Sequence, residues 1–149
     1  MLKLTKEQIR EIYQELDCGF LCFFSPATGE IKSIPDFDSN PYAEEEMWEE
    51  EIEEVEVNPD KYIEFEKMSS KQSFRVMEDF VDDVEDKTIR NLLIDGLGRP
   101  KPFHNFKFVI DNSVDYREKW FAYKEKRGCE WIEEQIESFN NRIDDDQED

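Results

Sequence analysis

Residues 19–36, GFLCFFSPATGEIKSIPD, set two Phe- and Ile-rich runs on either side of a Pro/Gly turn. That pattern predicts a β-hairpin. From Ser69 onward the apolar residues recur instead at helical spacing. Phe74, Met77, Val81 and Val84 make one face, and Ile89, Leu92, Leu93 and Leu97 the next. Phe103, Phe106 and Ile110 then share a face, followed by Tyr116, Trp120 and Tyr123 and by Ile132, Ile136 and Phe139. Strands first and helices after restrict the chain to an α+β fold. The expected architecture is a small antiparallel sheet of about three strands, helices mainly on one face, and a mostly helical C-terminal half.

The boundaries follow from end signals. Thr5 caps a first helix carrying Ile9, Ile12, Tyr13 and Leu16, and Gly19 ends it. Asn40 before Pro41 reads as the start of a short helix with Trp48, Ile52 and Val55 on one stripe. A hairpin through EVEV-NPDK-YIEF competes with it; helix followed by a strand over Tyr62 to Glu66 is the preferred reading. Ser69 with Gln72 forms a capping box, and Asp86 caps the following helix. The last helix is expected to run unbroken through Gly128, although glycine inside a helix costs about 1 kcal/mol against alanine. One domain is assigned to 1–143 and an acidic disordered tail to 144–149.

Charge is unevenly placed. Charged residues make up 39% of the 149-residue chain, and the net charge is −20. The segment 36–66 holds 14 acidic residues and one Lys, a net of −13, and the tail adds −5. From Arg99 to Arg127 the balance reverses, with eight Lys/Arg and four Asp/Glu. Such opposite potentials attract. The acidic segment is therefore expected to oppose a phosphate polymer, and nucleic-acid binding by the intact chain is expected to be negligible. The basic segment is interleaved with Phe103, Phe106, Phe108, Tyr116, Trp120 and Tyr123, the mixture used to grip phosphates and stack bases. A weak nucleic-acid-associated factor is thus one alternative.

The familiar chemical motifs fail on particular residues. Gly96-Leu97-Gly98 lacks the third glycine of a dinucleotide loop, where Lys101 stands, and follows a helix instead of a strand. It reads as a helix-to-helix connector, with Pro100 and Pro102 blocking continuation. Asp36, Asp38 and Asn40 begin a calcium-loop pattern, but Pro41 replaces the turn glycine and Met47 the bidentate Glu. Carboxylates at Glu78, Asp79, Asp82, Asp83 and Asp86 match the wet side of a helix. His104 is the one histidine, too few for a thiolate–imidazole zinc site or a hydrolytic triad. Cys18, Cys22 and Cys129 are expected to be reduced and mostly buried. No catalytic residue, metal or cofactor is assigned. No apolar stretch has signal-peptide or membrane-spanning length, so the expected setting is cytoplasmic.

FRVMEDFVDDV, GRPKPFHNFK, REKWFAY and EWIEEQ follow in an order that resembles a bacterial family known as uncharacterised protein family 0158. The matching positions are Met77, Asp79 and Phe80; Gly98, Arg99, Phe103, Phe106 and Lys107; and Trp120. FLCFFSPATGEI and YIEFEK are similar to the family's hairpin and third strand. The likeness covers most of Leu16 to Phe139; the chain departs from it in its Glu-rich 44–54 stretch, its Pro100/Pro102 pair and its acidic tail. The resemblance implies the fold and no reaction.

The functional expectation is a non-catalytic interaction or regulatory protein with a basic protein partner. A small enzyme of unknown class is the other alternative, its site gathered from Arg75, Asp79, Arg99, His104 and Lys107. Lys101 and Trp120 complete the candidate binding residues.

Overall fold

The computed structural model describes residues 1–147, with side chains described to Ile143. Among them are a three-stranded antiparallel sheet in the order β2-β1-β3 and six α-helices. The chain forms two compact units: Met1–Lys67 with the residues from Cys129 onward, and Met68–Gly128.

In the first unit α1, Lys6–Asp17, starts at a capping box. Thr5 Oγ1 accepts from Gln8 N–H at 3.1 Å, and Gln8 Oε1 accepts from Thr5 N–H at 2.8 Å. Reciprocal caps of this kind contribute about 1 kcal/mol. Gly19, at φ +87°, turns the chain into β1, Phe20–Phe24, through a conformation that side chains with a Cβ rarely adopt. β1 pairs with β2, Ile31–Pro35, and with β3, Ile63–Phe65. The alternation of strand side chains places Cys22, Phe24 and Phe65 on one face. There they pack with Leu2, Ile9, Ile12 and Ile132, so α1 and the final helix cover that face. Each fully buried aliphatic side chain in such a cluster contributes roughly 1.5–3 kcal/mol.

Asn40 corrects one expectation: it caps no helix. Its Nδ2 donates to Gly19 O at 2.8 Å and Asp36 O at 3.1 Å, closing the loop after β2. A 3-10 turn, Glu45–Trp48, leads instead into α2, Glu49–Val57. Helix is therefore correct here and the competing hairpin is not. α2 lies against β2, and Trp48 meets Phe20 edge to face with centroids 6.2 Å apart.

The second unit is helical. α3, Ser70–Asp82, begins at the Ser69–Gln72 capping box, and α4, Lys87–Leu97, begins at Asp86. α5 spans Pro102–Asp111. Met77, Phe80, Val81, Val84, Leu93, Phe106 and Ile110 form its core. Leu92 is 52% exposed instead of buried, since Leu93, one helical step of about 100° away, takes the inward position. α6 runs unbroken from Val114 through Gly128 to Gln147 and contributes to both units. Its backbone therefore stays helical into the stretch read as tail; the last residues of that tail, 148–149, lie outside the described residues.

Candidate functional site

The connector 96–105 is built by packing and hydrogen bonds. At Gly96 an added Cβ would come within 3.1 Å of Asn105 Cβ, so glycine permits the close approach of α4 and α5. Asn105 Nδ2 then donates to Gly96 O and to Pro100 O, both at 3.0 Å. Pro102 takes the first helical position, where a missing N–H is harmless. Lys101 before it adopts φ 60°.

Asp79 is the centre of a small ionic cluster. Arg75, one turn earlier on α3, places Nε 3.1 Å from Asp79 Oδ1. Arg127 on α6 donates Nη1–H to Asp79 Oδ2 at 2.8 Å and to Tyr123 Oη at 2.7 Å. The bond it donates to Asp79 raises the Arg127 pKa against the opposing effect of burial. Tyr123 in turn packs on Phe80 and Trp120. Arg127 is the partner that sequence spacing did not assign to Asp79, since helix periodicity says nothing about which distant turns meet.

The remaining candidates have separate surroundings. Arg99 pairs with Asp95 at 2.9 Å on the exposed side of α4. Lys101, His104 and Lys107 are exposed. Trp120 belongs to the aromatic core with Phe80 and Phe106. Phe106 is buried as expected, whereas Phe103 is 44% exposed and touches Phe74 only edge to face. The acidic loop has local duties: Asp36 Oδ1 accepts from Asp38 N–H and Oδ2 from Ser39 Oγ, each at 3.2 Å. No group of three metal-ligating side chains occurs among the described residues. Cys22 is buried, which pushes its thiol up to about 12, with Glu15 and Glu11 adding to the rise. Cys18 is exposed, contrary to the expectation for most of the thiols, because it lies at the end of α1 beyond the apolar stripe.

The first unit carries a feature that sequence reading did not find. β1 and β3 pair through Cys22 and Phe65, which places Leu21 opposite Glu66 next in register. Glu66 does not continue the ladder. Its N–H donates to Gln135 Oε1 at 2.9 Å, and its C=O accepts from Trp131 Nε1 at 2.8 Å and Gln135 Nε2 at 3.0 Å. At this end of the sheet is a cavity of about 230 Å³ with Leu16, Phe20, Leu21 and Phe65 in its wall. Asp36, Glu64 and Glu66 supply its carboxylates. Partial burial and then Glu66 raise the Glu64 pKa. Phe20 also joins the cavity wall to Trp48 and thus to the Glu-rich turn before α2.

These two units define an α+β protein with a mostly helical C-terminal half. The model of the uncharacterised protein family UPF0158 matches residues 38–147, and the chain belongs to that family. A UPF0158 protein of Pseudomonas aeruginosa, PA5073, is 28% identical over 83 residues, which cover 56% of this chain and 54% of that relative. The chain thus spans about half the length of the curated relative it matches. No solved structure matches. No described helix is long and apolar enough to cross a membrane.

Proposed function

We propose that this is a non-catalytic interaction protein of the bacterial cytoplasm, and that the acidic surface of its first unit binds a basic segment of a protein partner. One observation carries the reading. Lys61 is the only basic residue within 36–66, and it is engaged by Glu54 at 3.1 Å. Glu44, Glu45, Glu46, Glu49, Glu50, Glu53 and Glu56 have no other cation in the segment and are exposed. Met47 among them is 74% exposed, so the same surface offers apolar contact. A dense anionic field speeds encounter with cations, while adjacent apolar area strengthens the docked state.

A second reading, association with nucleic acid through 99–127, draws support from Phe108, one of the rings noted in the sequence, and from Phe121, which was not. Trp120 and Phe106 are engaged in the core, but Phe108 is 66% exposed and Arg117 lies over the half-exposed Phe121 at 5.4 Å. Exposed rings beside cations can stack on bases.

Fluorescence anisotropy separates the two. A labelled Lys/Arg-rich peptide and a labelled single-stranded oligonucleotide are titrated at low and physiological salt. The expected result is salt-sensitive peptide binding, weakened roughly tenfold or more when Glu44, Glu45, Glu46, Glu49, Glu50 and Glu51 are changed to Gln. Tight oligonucleotide binding by the unmodified chain, without peptide binding, would reject the first reading in favour of the second.

A further inference from the structure

The cavity at the end of the sheet is too small for most small-molecule ligands. Sites that bury drug-sized molecules run to roughly 300–1,000 Å³, and this one holds about 230 Å³. That space suits a single side chain. Its wall is largely apolar, from Leu16, Phe20, Leu21 and Phe65, whereas its charged members are Asp36, Glu64, Glu66 and one cation, Lys67. An aliphatic group can therefore enter, and positive charge beside that group finds more carboxylates than cations. Leu21 is also partly exposed, so the wall is accessible from solvent.

Chain continuity ties this cavity to the acidic surface. Phe20 in the wall packs against Trp48, at the end of the turn carrying Glu45 and Glu46 and directly before Glu49 and Glu50. A bound segment could thus insert one residue beside Phe20 while its neighbours remain in the anionic field. Resting on the reading of a basic protein partner, we propose that the cavity is its anchor pocket: it seats one aliphatic side chain, such as leucine, flanked in the partner by Lys or Arg. Burial of that side chain supplies sequence selectivity, which a field of exposed carboxylates alone does not provide. The flanking cations meet Asp36, Glu64 and Glu66 and relieve the repulsion between the last two.

The test uses two labelled peptides rich in Lys and Arg, identical except that one carries a central leucine and the other serine at that place. Both are titrated against the full chain and against Leu21→Trp, whose larger ring fills the pocket. The full chain is expected to bind the leucine peptide about 10-fold or more tightly over the serine peptide, the ratio for burying a leucine-sized group. In Leu21→Trp that ratio should fall to within about twofold, with salt-sensitive binding retained. Equal affinities of the two peptides for the unmodified chain would overturn the anchor pocket and leave the acidic surface standing. A preference that survives in Leu21→Trp would also overturn it. Failure of both peptides to bind would sink the basic-partner reading itself, and the pocket with it. Because the comparison on the unmodified chain decides the matter, it holds even if Leu21→Trp does not fold.

Discussion

Phe106 and Trp120 meet edge to face, with ring centroids 4.7 Å apart, and Phe80 touches both. The contact fastens α5 to the first half of α6 within the second unit. Phe106 is only 2% exposed, so its removal empties a closed site. Phe106→Ala is expected to destabilise by about 3–5 kcal/mol, while Phe103→Ala, at a half-exposed ring, should cost less than about 1.5 kcal/mol. Chemical denaturation of both variants checks this. Equal midpoint shifts would remove the distinction between a core ring and a surface ring.

Asp79 joins two arginines of unequal burial. Arg127 is mostly shielded and shares its donor with Tyr123, whereas Arg75 is largely in solvent. Screening therefore weakens the Arg75 pair more. A double-mutant cycle is expected to give about 1 kcal/mol of coupling for Asp79 with Arg127 and less than about 0.5 kcal/mol for Asp79 with Arg75. Equal couplings would contradict the difference in shielding.

The thiols should separate kinetically. Cys18 is exposed, and Cys22 is buried with its thiol held near 12. Since the thiolate is the reactive form, an aromatic disulfide reagent at neutral pH should modify Cys18 rapidly and Cys22 only on unfolding. Cys18→Ser is expected to remove the fast phase. Rapid modification of Cys22 in the folded chain, located by peptide mapping, would show that its site opens.

The Glu54–Lys61 pair should have a definite pH window. Lys61, followed by Tyr62, holds the Glu54 carboxyl below its ordinary 4.5 by hydrogen bonding. Glu54 in return raises Lys61 above 10.5. A lowered acid contributes stability above its unfolded value and loses it as pH falls through the lowered folded value. A raised base contributes below its unfolded value and loses that as pH rises through the raised folded value. The pair is therefore fully formed between about 4.5 and 10.5. In an NMR titration the Glu54 side-chain carbon should titrate at a lower pH than in Lys61→Met; coincident curves would show that the pair does not persist in solution.

Local signals determined much of this architecture. Thr5, Ser69 and Asp86 cap helices because their side chains satisfy N–H groups only two or three residues ahead. The hairpin and the stripe Phe74, Met77, Val81 and Val84 were legible for the same reason, since strand and helix periodicity are short-range geometry. Tertiary packing decided what these rules do not reach. Periodicity could not distinguish the inward Phe106 from the exposed Phe103, nor Leu93 from Leu92. It could not give Asp79 its partner 48 residues away in Arg127. It also could not foresee that Gln135 and Trp131 would hold Glu66, 69 and 65 residues away in sequence, where β1 and β3 cease to pair. The acidic surface belongs to the sequence, because its composition surrounds the one lysine of the segment, Lys61, with a large excess of carboxylates. The cavity belongs to the tertiary structure, because it exists only where segments distant in sequence converge on the end of the sheet.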